Sequence, residues 1–266
     1  MKNKKFCIFL IALCFLIFLL SYFVYKNSFN ELRDIKARGV LIVGTTGDYC
    51  PMSCYDSETK KYTGFDISMA EDLAESLGVK IEYKRTTWQT LVQDTIDKKF
   101  DIAVSGITIT NERKSNALMS DGYLENGKTI LCRKEDVKKY INMDTLNNPK
   151  VRIMENPGGL NEKFVRENLP KAELIIHDIN YEIPQLVAEG KADVMITEIV
   201  EAKYYSNINK KLAAPLVQNP FTKGQIGMLM PGQSKTLHRY VNKFIKNEQN
   251  SGRIYELKEK FNLCVL

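Results

Sequence analysis

A short apolar run that stops abruptly in small and hydroxyl-bearing residues narrows the choice of folds more than any other stretch of this chain. Ile102, Ala103 and Val104 form the brief all-apolar segment expected of a strand buried inside a sheet, bounded by Asp101 on one side and Ser105-Gly106 on the other. Small residues at Ser105 and Gly106 let the backbone come close to a guest, and Thr108 and Thr110 add hydroxyls. Thr110 is placed to cap a helix whose first turn contains Arg113. A cation there opposes the helix dipole unless an anion faces it. Arg113 therefore has two readings: a solvated helix-start side chain, or a guanidinium holding a ligand carboxylate through two parallel hydrogen bonds.

With 266 residues the chain can bury two α/β lobes of ordinary size once its leader is set aside. The leader covers residues 1–30. Lys2, Lys4 and Lys5 precede Phe6 to Tyr25, which carry no charge and would span about 30 Å as a helix, sufficient for an anchor and long for a signal core. No small-residue cleavage site follows clearly, and Leu13 before Cys14 argues against a lipoprotein cysteine. The expectation is export, with residues 6–25 as an uncleaved membrane anchor or a signal helix and the rest of the chain beyond the membrane. Without the leader 34 basic face 32 acidic residues, a net charge of +2, which does not describe a nucleic-acid surface. Cys50, Cys54, Cys132 and Cys264 lie outside the leader and permit three pairings between which the sequence does not choose. Cys50 and Cys54 are spaced to pair across a turn. No metal is expected, because no second close cysteine pair exists and His177 and His238 are remote from both.

Along the chain, Glu31 to Gly39 reads as a helix and Val40 to Gly44 as a strand. The loop Thr45 to Pro51 then lies at the strand's C-terminal end, where ligands of open α/β sheets sit. Asp48 and Tyr49 are its ligand candidates, Tyr49 by covering an apolar ring face. Ile67 to Leu77 repeat at helical spacing, with Asp66 as N-cap and Gly78 ending the run. Val79 to Tyr83 alternate as a strand. Trp88 opens the next helix, as packing or as a ligand wall. Lys128 enters a strand after Gly127, either solvated or as a second pocket cation. In the second half, the strand Val151 to Met154, the turn Asn156-Pro-Gly158-Gly159 and the helix Asn161 to Leu169 form an arrangement that aims backbone N–H groups at an anion. Ala192 to Thr197 is a strand delivering Glu198 and Glu201 to a helix start, on one face. Favourable dipole placement accounts for both acids. A Glu201 buried in a closed cleft would instead stay protonated and serve as a general acid. Lys223 to Met230 reads as one strand, followed by two closing helices that split near Ser251-Gly252.

Gly64-Phe-Asp66, Ser105-Gly-Ile-Thr-Ile-Thr-x-x-Arg113 and Gly190-Lys-Ala-Asp-x-x-x-Thr197 resemble the amino-acid-binding (family 3) exported solute-binding proteins over the whole chain after the leader. That resemblance implies a two-lobed α/β periplasmic-binding-protein type II fold with a two-crossing hinge: residues 31–128 and 223–266 in one lobe, 129–222 in the other. Thr45-Thr-Gly-Asp-Tyr-x-Pro-x-Ser53, Asp121-x-Tyr-Leu-x-x-Gly-Lys-Thr129, Asn156-Pro-Gly-Gly-x-Asn-Glu-Lys-Phe164 and Thr197-x-x-x-Glu-Ala202 are similar, more narrowly, to the cyclohexadienyl dehydratases. Those enzymes turn prephenate into phenylpyruvate and arogenate into phenylalanine without a cofactor.

The resemblance implies Glu201 as the acid, with Lys128 and the amides around Asn156, Gly158 and Gly159 facing one anionic end of the substrate. Arg113, Ser105, Gly106 and Thr108 would clamp a carboxylate at the other, while Asp48, Tyr49 and Trp88 shape the ring pocket. Two positions depart from the pattern. Leu160 replaces a usual Thr, and Glu198 replaces a usual Asp that in transport relatives meets the substrate ammonium. The alternatives to catalysis are a non-catalytic amino-acid-binding protein of an ABC transporter and a membrane-tethered sensor domain. The partner expected in each case is a small dicarboxylate or amino acid, with membrane contact through the leader only.

Overall fold

Two sheets of five strands each divide the chain. In the first, the order is Lys80–Arg85, Val40–Thr45, Ile102–Ala103, Leu229–Met230 and Leu118–Met119; the first three are parallel and Leu229–Met230 is antiparallel to its neighbours. In the second, Glu173–Ile176, Arg152–Glu155 and Val194–Glu198 are parallel, Lys128–Arg133 runs against them, and Leu212–Ala213 closes the edge. The inner strands are buried, Val40–Thr45 and Val194–Glu198 among them, as covered parallel strands must be, whereas the edge strand Lys80–Arg85 alternates and is largely exposed. Leu41, Val43, Ile102 and Val104 pack under Phe65, Met69 and Leu73 on one side of the first sheet. Ala103, Ile107 and Leu229 pack with Leu91 and Phe100 on the other. Residues 13–22 and 30–263 are described by this computed structural model. Residues 13–22 are helical, while the rest of the expected 6–25 span, and Cys264, lie outside the described residues. No helix among the described residues is long and apolar enough to cross a membrane.

The lobes are joined by two antiparallel strands, Leu124–Asn126 and Gly224–Ile226, which form a small sheet of their own. The expected single strand over Lys223 to Met230 is therefore two. Gly224–Ile226 serves the crossing and Leu229–Met230 the first sheet, with the break at Gly227-Met228. A Cβ at Gly227 would lie 3.0 Å from the Ile109 side chain. Alternation alone does not reveal such a break, because both pieces are apolar.

The helix Phe65–Leu77 begins two residues earlier than the spacing suggests, and its N-cap is Gly64 rather than Asp66. Gly64 has φ 141°, and any Cβ there would sit 2.3 Å from the Met52 carbonyl oxygen, so this entry into the helix accepts glycine alone. Asp66 is buried in the first turn and accepts from the Gly106 N–H at 2.5 Å and the Tyr123 hydroxyl at 2.7 Å. Burial raises its carboxyl to about 6, against those bonds. Its role is to tie the helix to the Ser105-Gly106 turn. The loop after Val40–Thr45 is folded into a three-stranded meander, Asp48–Tyr49, Ser53–Asp56 and Lys61–Thr63. A disulfide between Cys50 and Cys54 staples it, with Cα atoms 5.0 Å apart. Cys132 is a buried free thiol.

Asp193, in the Gly190-Lys-Ala-Asp segment, knits the outer edge of the second sheet. It accepts from the Arg152 N–H at 3.0 Å, from the Arg152 guanidinium at 2.8 Å and from Arg133 at 3.1 Å. Burial acts to raise its pKa, but these donors prevail and hold it at about 2, below the ordinary 3.8. A depressed carboxyl stabilises the fold above its unfolded pKa, and the contribution disappears as pH falls through the folded value. Asp193→Asn is expected to lower stability by about 1–2 kcal/mol at pH 7, allowing for partial exposure. Urea melts at pH 7 and pH 2.5 check this, and the deficit should shrink at the lower pH.

Candidate active site

The C-terminal ends of both parallel strand sets point into the cleft between the lobes, the position where open sheets place ligands. There Tyr49, Trp88, Gly106, Thr108 and Arg113 from the first lobe face Lys128, Asn156, Gly159, Leu160, Asn161, Asn180 and Glu198 from the second, around a small closed cavity of about 30 Å³. Arg113 is 7% exposed, and its guanidinium donates to the Thr108 carbonyl at 2.7 Å. No carboxylate lies within ion-pair distance of it among the described residues. Burial acts to lower its pKa, and the side chain lines the cavity. Thr110 caps the helix Asn111–Asn116 through the Arg113 N–H, as the spacing suggests.

Strand register sets the second cation. Lys128 and Glu198 are direct partners on antiparallel neighbours. Lys128 Nζ lies 3.0 Å from Glu198 Oε1 and 2.5 Å from Asn161 Oδ1. Burial tends to raise Glu198, but the Lys128 charge and the bonds from Thr108, Lys128 and Tyr49 outweigh it and keep the carboxyl below its ordinary value. Glu201, one turn later, is fully buried. Its Oε1 accepts from Asn180 Nδ2 at 2.7 Å, and Oε2 accepts from the Thr197 hydroxyl. Burial raises its pKa to about 8; those two bonds oppose the shift, and the Asp48 and Glu198 charges add to it. Two carboxyls three residues apart are thus driven in opposite directions, one ionised and one protonated near neutral pH, the arrangement that separates acid from base. Glu201 does not itself line the cavity. Asn180, which does, covers it.

Trp88 stands edge-on to Tyr49, with ring centroids 5.6 Å apart, and its indole N–H donates to Asp48 at 3.0 Å. Both rings wall the cavity. Asp48 lies behind them and lines a neighbouring hollow with Thr46, Arg85 and Thr86, so it positions the indole rather than facing the guest. Burial raises its carboxyl. Ser105 is also outside the lining. Its hydroxyl is engaged by Thr45 at 3.0 Å, Thr46 Oγ1 at 2.9 Å and the Thr46 N–H at 3.0 Å, which fixes the turn rather than clamping a ligand. Gly106, with φ 67°, lines the cavity, and a Cβ there would strike the Tyr49 ring at 2.7 Å. The Gly158 N–H, expected to meet an anion, is occupied by Glu162 Oε2 at 2.6 Å, whereas Gly159 and Asn156 remain on the lining.

Asn126, Asn161, Asn180 and Thr197 are site residues that the sequence did not single out. Thr197 lies on the strand Val194–Glu198 and Glu201 in the first turn of the helix Ile199–Ile208, so their contact depends on the junction between them. Asn126 and Asn180 come from the hinge strand and a remote turn, with no local mark. Glu155, below the cleft, is a further buried acid. Burial drives its carboxyl well up; Oε1 accepts from the Ile196 N–H at 2.6 Å and Oε2 has no partner among the described residues.

Two lobes closing on a polar cleft with paired cations define a binding-protein architecture. The sequence pattern of the bacterial extracellular solute-binding proteins, family 3, matches residues 41–263, and the chain belongs to that family, with its two-lobed type II fold. A cyclohexadienyl dehydratase of Pseudomonas aeruginosa is 40% identical over 230 residues, 86% of this chain and 85% of that protein. Among solved structures, an ancestral amino-acid-binding protein described as a precursor of cyclohexadienyl dehydratase shares 37% identity at a TM-score of 0.81, covering 87% of this chain and 99% of its own. A variant of an ancestral cyclohexadienyl dehydratase shares 48% identity at a TM-score of 0.55, covering 87% and 96%.

Proposed function

We propose that the protein is a cyclohexadienyl dehydratase, a carbon–oxygen lyase acting on prephenate, arogenate or both. The observation that carries this is Glu201: a fully buried carboxyl held protonated to about pH 8 beside a cleft lined by two cations. A receptor needs the cations but has no use for that acid, and a buried neutral carboxyl is costly to keep without a task.

The substrate carries a carboxylate on the ring, a hydroxyl on the opposite ring carbon and a second carboxylate on its side chain. In our reading Arg113 holds one carboxylate, Lys128 and the Asn156-Gly159 edge hold the other, and Tyr49 and Trp88 cover the ring, while the Thr108 hydroxyl is committed to Glu198. The bond from ring carbon to the departing carboxylate breaks and releases CO₂. Its electron pair moves through the diene and expels the hydroxyl oxygen with its own bonding pair. Once the Asn180 amide that covers it turns aside, Glu201 gives its proton to that oxygen at the edge of the cavity, so that water leaves and the ring becomes aromatic. The proton is recovered from solvent between turnovers. Exclusion of water by the closed lobes keeps Glu201 protonated, and orientation supplies much of the acceleration. The lobes are assigned as residues 31–128 with 223–266, and 129–222, with Lys128 at the crossing itself, where its strand enters the second sheet. The protein is placed in the periplasm or outside the cytoplasm, held there by residues 6–25 or released from them.

Incubation of the purified protein with prephenate should give the rising absorbance of phenylpyruvate, and absence of turnover on prephenate and arogenate alike would sink the assignment. Because the acid must hold its proton, kcat should fall as pH rises through about 8. A rate still climbing above that pH would remove Glu201 from the acid role.

A further inference from the structure

We propose that Glu198 makes this site select the 2-oxo-acid substrate, prephenate, over its 2-amino-acid counterpart, arogenate. The inference rests on the dehydratase reading and goes beyond it by separating the two substrates. Glu198 is 4% exposed at the cleft, and both of its oxygens are engaged twice. Oε1 accepts from the Thr108 hydroxyl at 2.7 Å and Lys128 Nζ at 3.0 Å. Oε2 accepts from Asn126 Nδ2 at 2.7 Å and the Tyr49 hydroxyl at 3.1 Å. An ionised carboxyl offers roughly four acceptor positions, so Glu198 has none left for a fifth donor.

An arriving ammonium brings three donors, and the acceptors the cavity has left for it are neutral amide oxygens, on Asn156 and Asn180, rather than a free carboxylate. Asn161 Oδ1 is taken by Lys128, the Tyr49 hydroxyl is directed at Glu198, and Asp48 faces the neighbouring hollow. Glu198 offsets the Lys128 charge at 3.0 Å, which leaves the Arg113 charge uncompensated and repelling an ammonium beside it. A carbonyl oxygen at the same place asks only for donors. Side-chain length is the cause. Glu198 sits on the second-lobe strand, yet its carboxylate reaches Thr108 and Tyr49 on the first lobe. An Asp at this position is one methylene shorter, falls back toward its own strand and frees acceptor positions for an ammonium.

Parallel measurement of kcat/KM tests this. The wild type should favour prephenate over arogenate by about tenfold or more, the effect of one missing charge-assisted hydrogen bond. Glu198→Asp should narrow that ratio by about tenfold, with its prephenate turnover reporting that it is folded. As a check that needs no variant, phenylpyruvate should inhibit the wild type more strongly than L-phenylalanine. Use of arogenate equal to or better than prephenate overturns the inference while leaving the dehydratase intact. An unchanged ratio in the Asp variant, or stronger inhibition by L-phenylalanine, also overturns it. Turnover of neither substrate overturns the dehydratase reading and this inference with it.

Discussion

Glu201→Gln is expected to reduce turnover of prephenate by on the order of 10²–10⁴-fold while making the protein more stable at neutral pH. The loss of rate follows from removing the transferable proton. The gain in stability follows from linkage. The folded carboxyl titrates near 8 and the ordinary value is 4.5, so between those pH values the folded state keeps a proton that the unfolded state has released. Its contribution is complete below pH 4.5 and is lost as pH rises through 8, which makes wild-type stability decline across that window. At pH 7 the cost is about 3 kcal/mol, and Gln does not incur it. Gln also fits the existing partners, since its carbonyl can accept from Asn180 and its amide can donate to Thr197. Urea melts at pH 5 and pH 8 should show the variant's advantage growing with pH. An advantage that is the same at both, or absent, contradicts a protonated Glu201.

Arg113→Met should lower kcat/KM by roughly 10²–10⁴-fold, the value of two charge-assisted hydrogen bonds to a substrate carboxylate. Stability should change by less than about 1 kcal/mol, because relief of a buried guanidinium offsets the Thr108 carbonyl left without its donor. Arg113→Lys keeps the charge but loses the planar fork, and should recover only part of the rate. Steady-state kinetics beside thermal melts separate a ligand clamp from a structural arginine. A Met variant that unfolds, or one that retains its KM, points to the structural role.

Where a local pattern and the tertiary fold asked for the same thing, the chain could be read directly. The Ile102-Ala-Val104 run, the Thr110 cap before Arg113, and the placing of Glu198 and Glu201 at a strand-to-helix junction each follow from a few neighbouring residues. The failures have physical reasons too. Asp66 looks like a cap because aspartate usually is one, yet the close approach of the Met52 carbonyl demands glycine just outside the helix and pushes Asp66 into its first turn. The resemblance sets Ser105 on a substrate carboxylate, but its hydroxyl turns into Thr45 and Thr46. Gly158 lost its expected anion to Glu162, four residues along. Asn126 and Asn180 carry no periodicity and meet Glu198 and Glu201 only through chain crossings that a linear pattern does not contain.

Several ties join the lobes across the cleft. Thr108 and Tyr49 bond to Glu198, Asn180 bonds to the Asp48 carbonyl, Lys163 pairs with Glu112 on the rim, and Val200 is embedded in the first-lobe core. A guest cannot enter, nor an aromatic acid depart, until these have parted. Each catalytic cycle therefore contains a mechanical step, in which a methyl-bearing wedge slides out of a foreign core and back again.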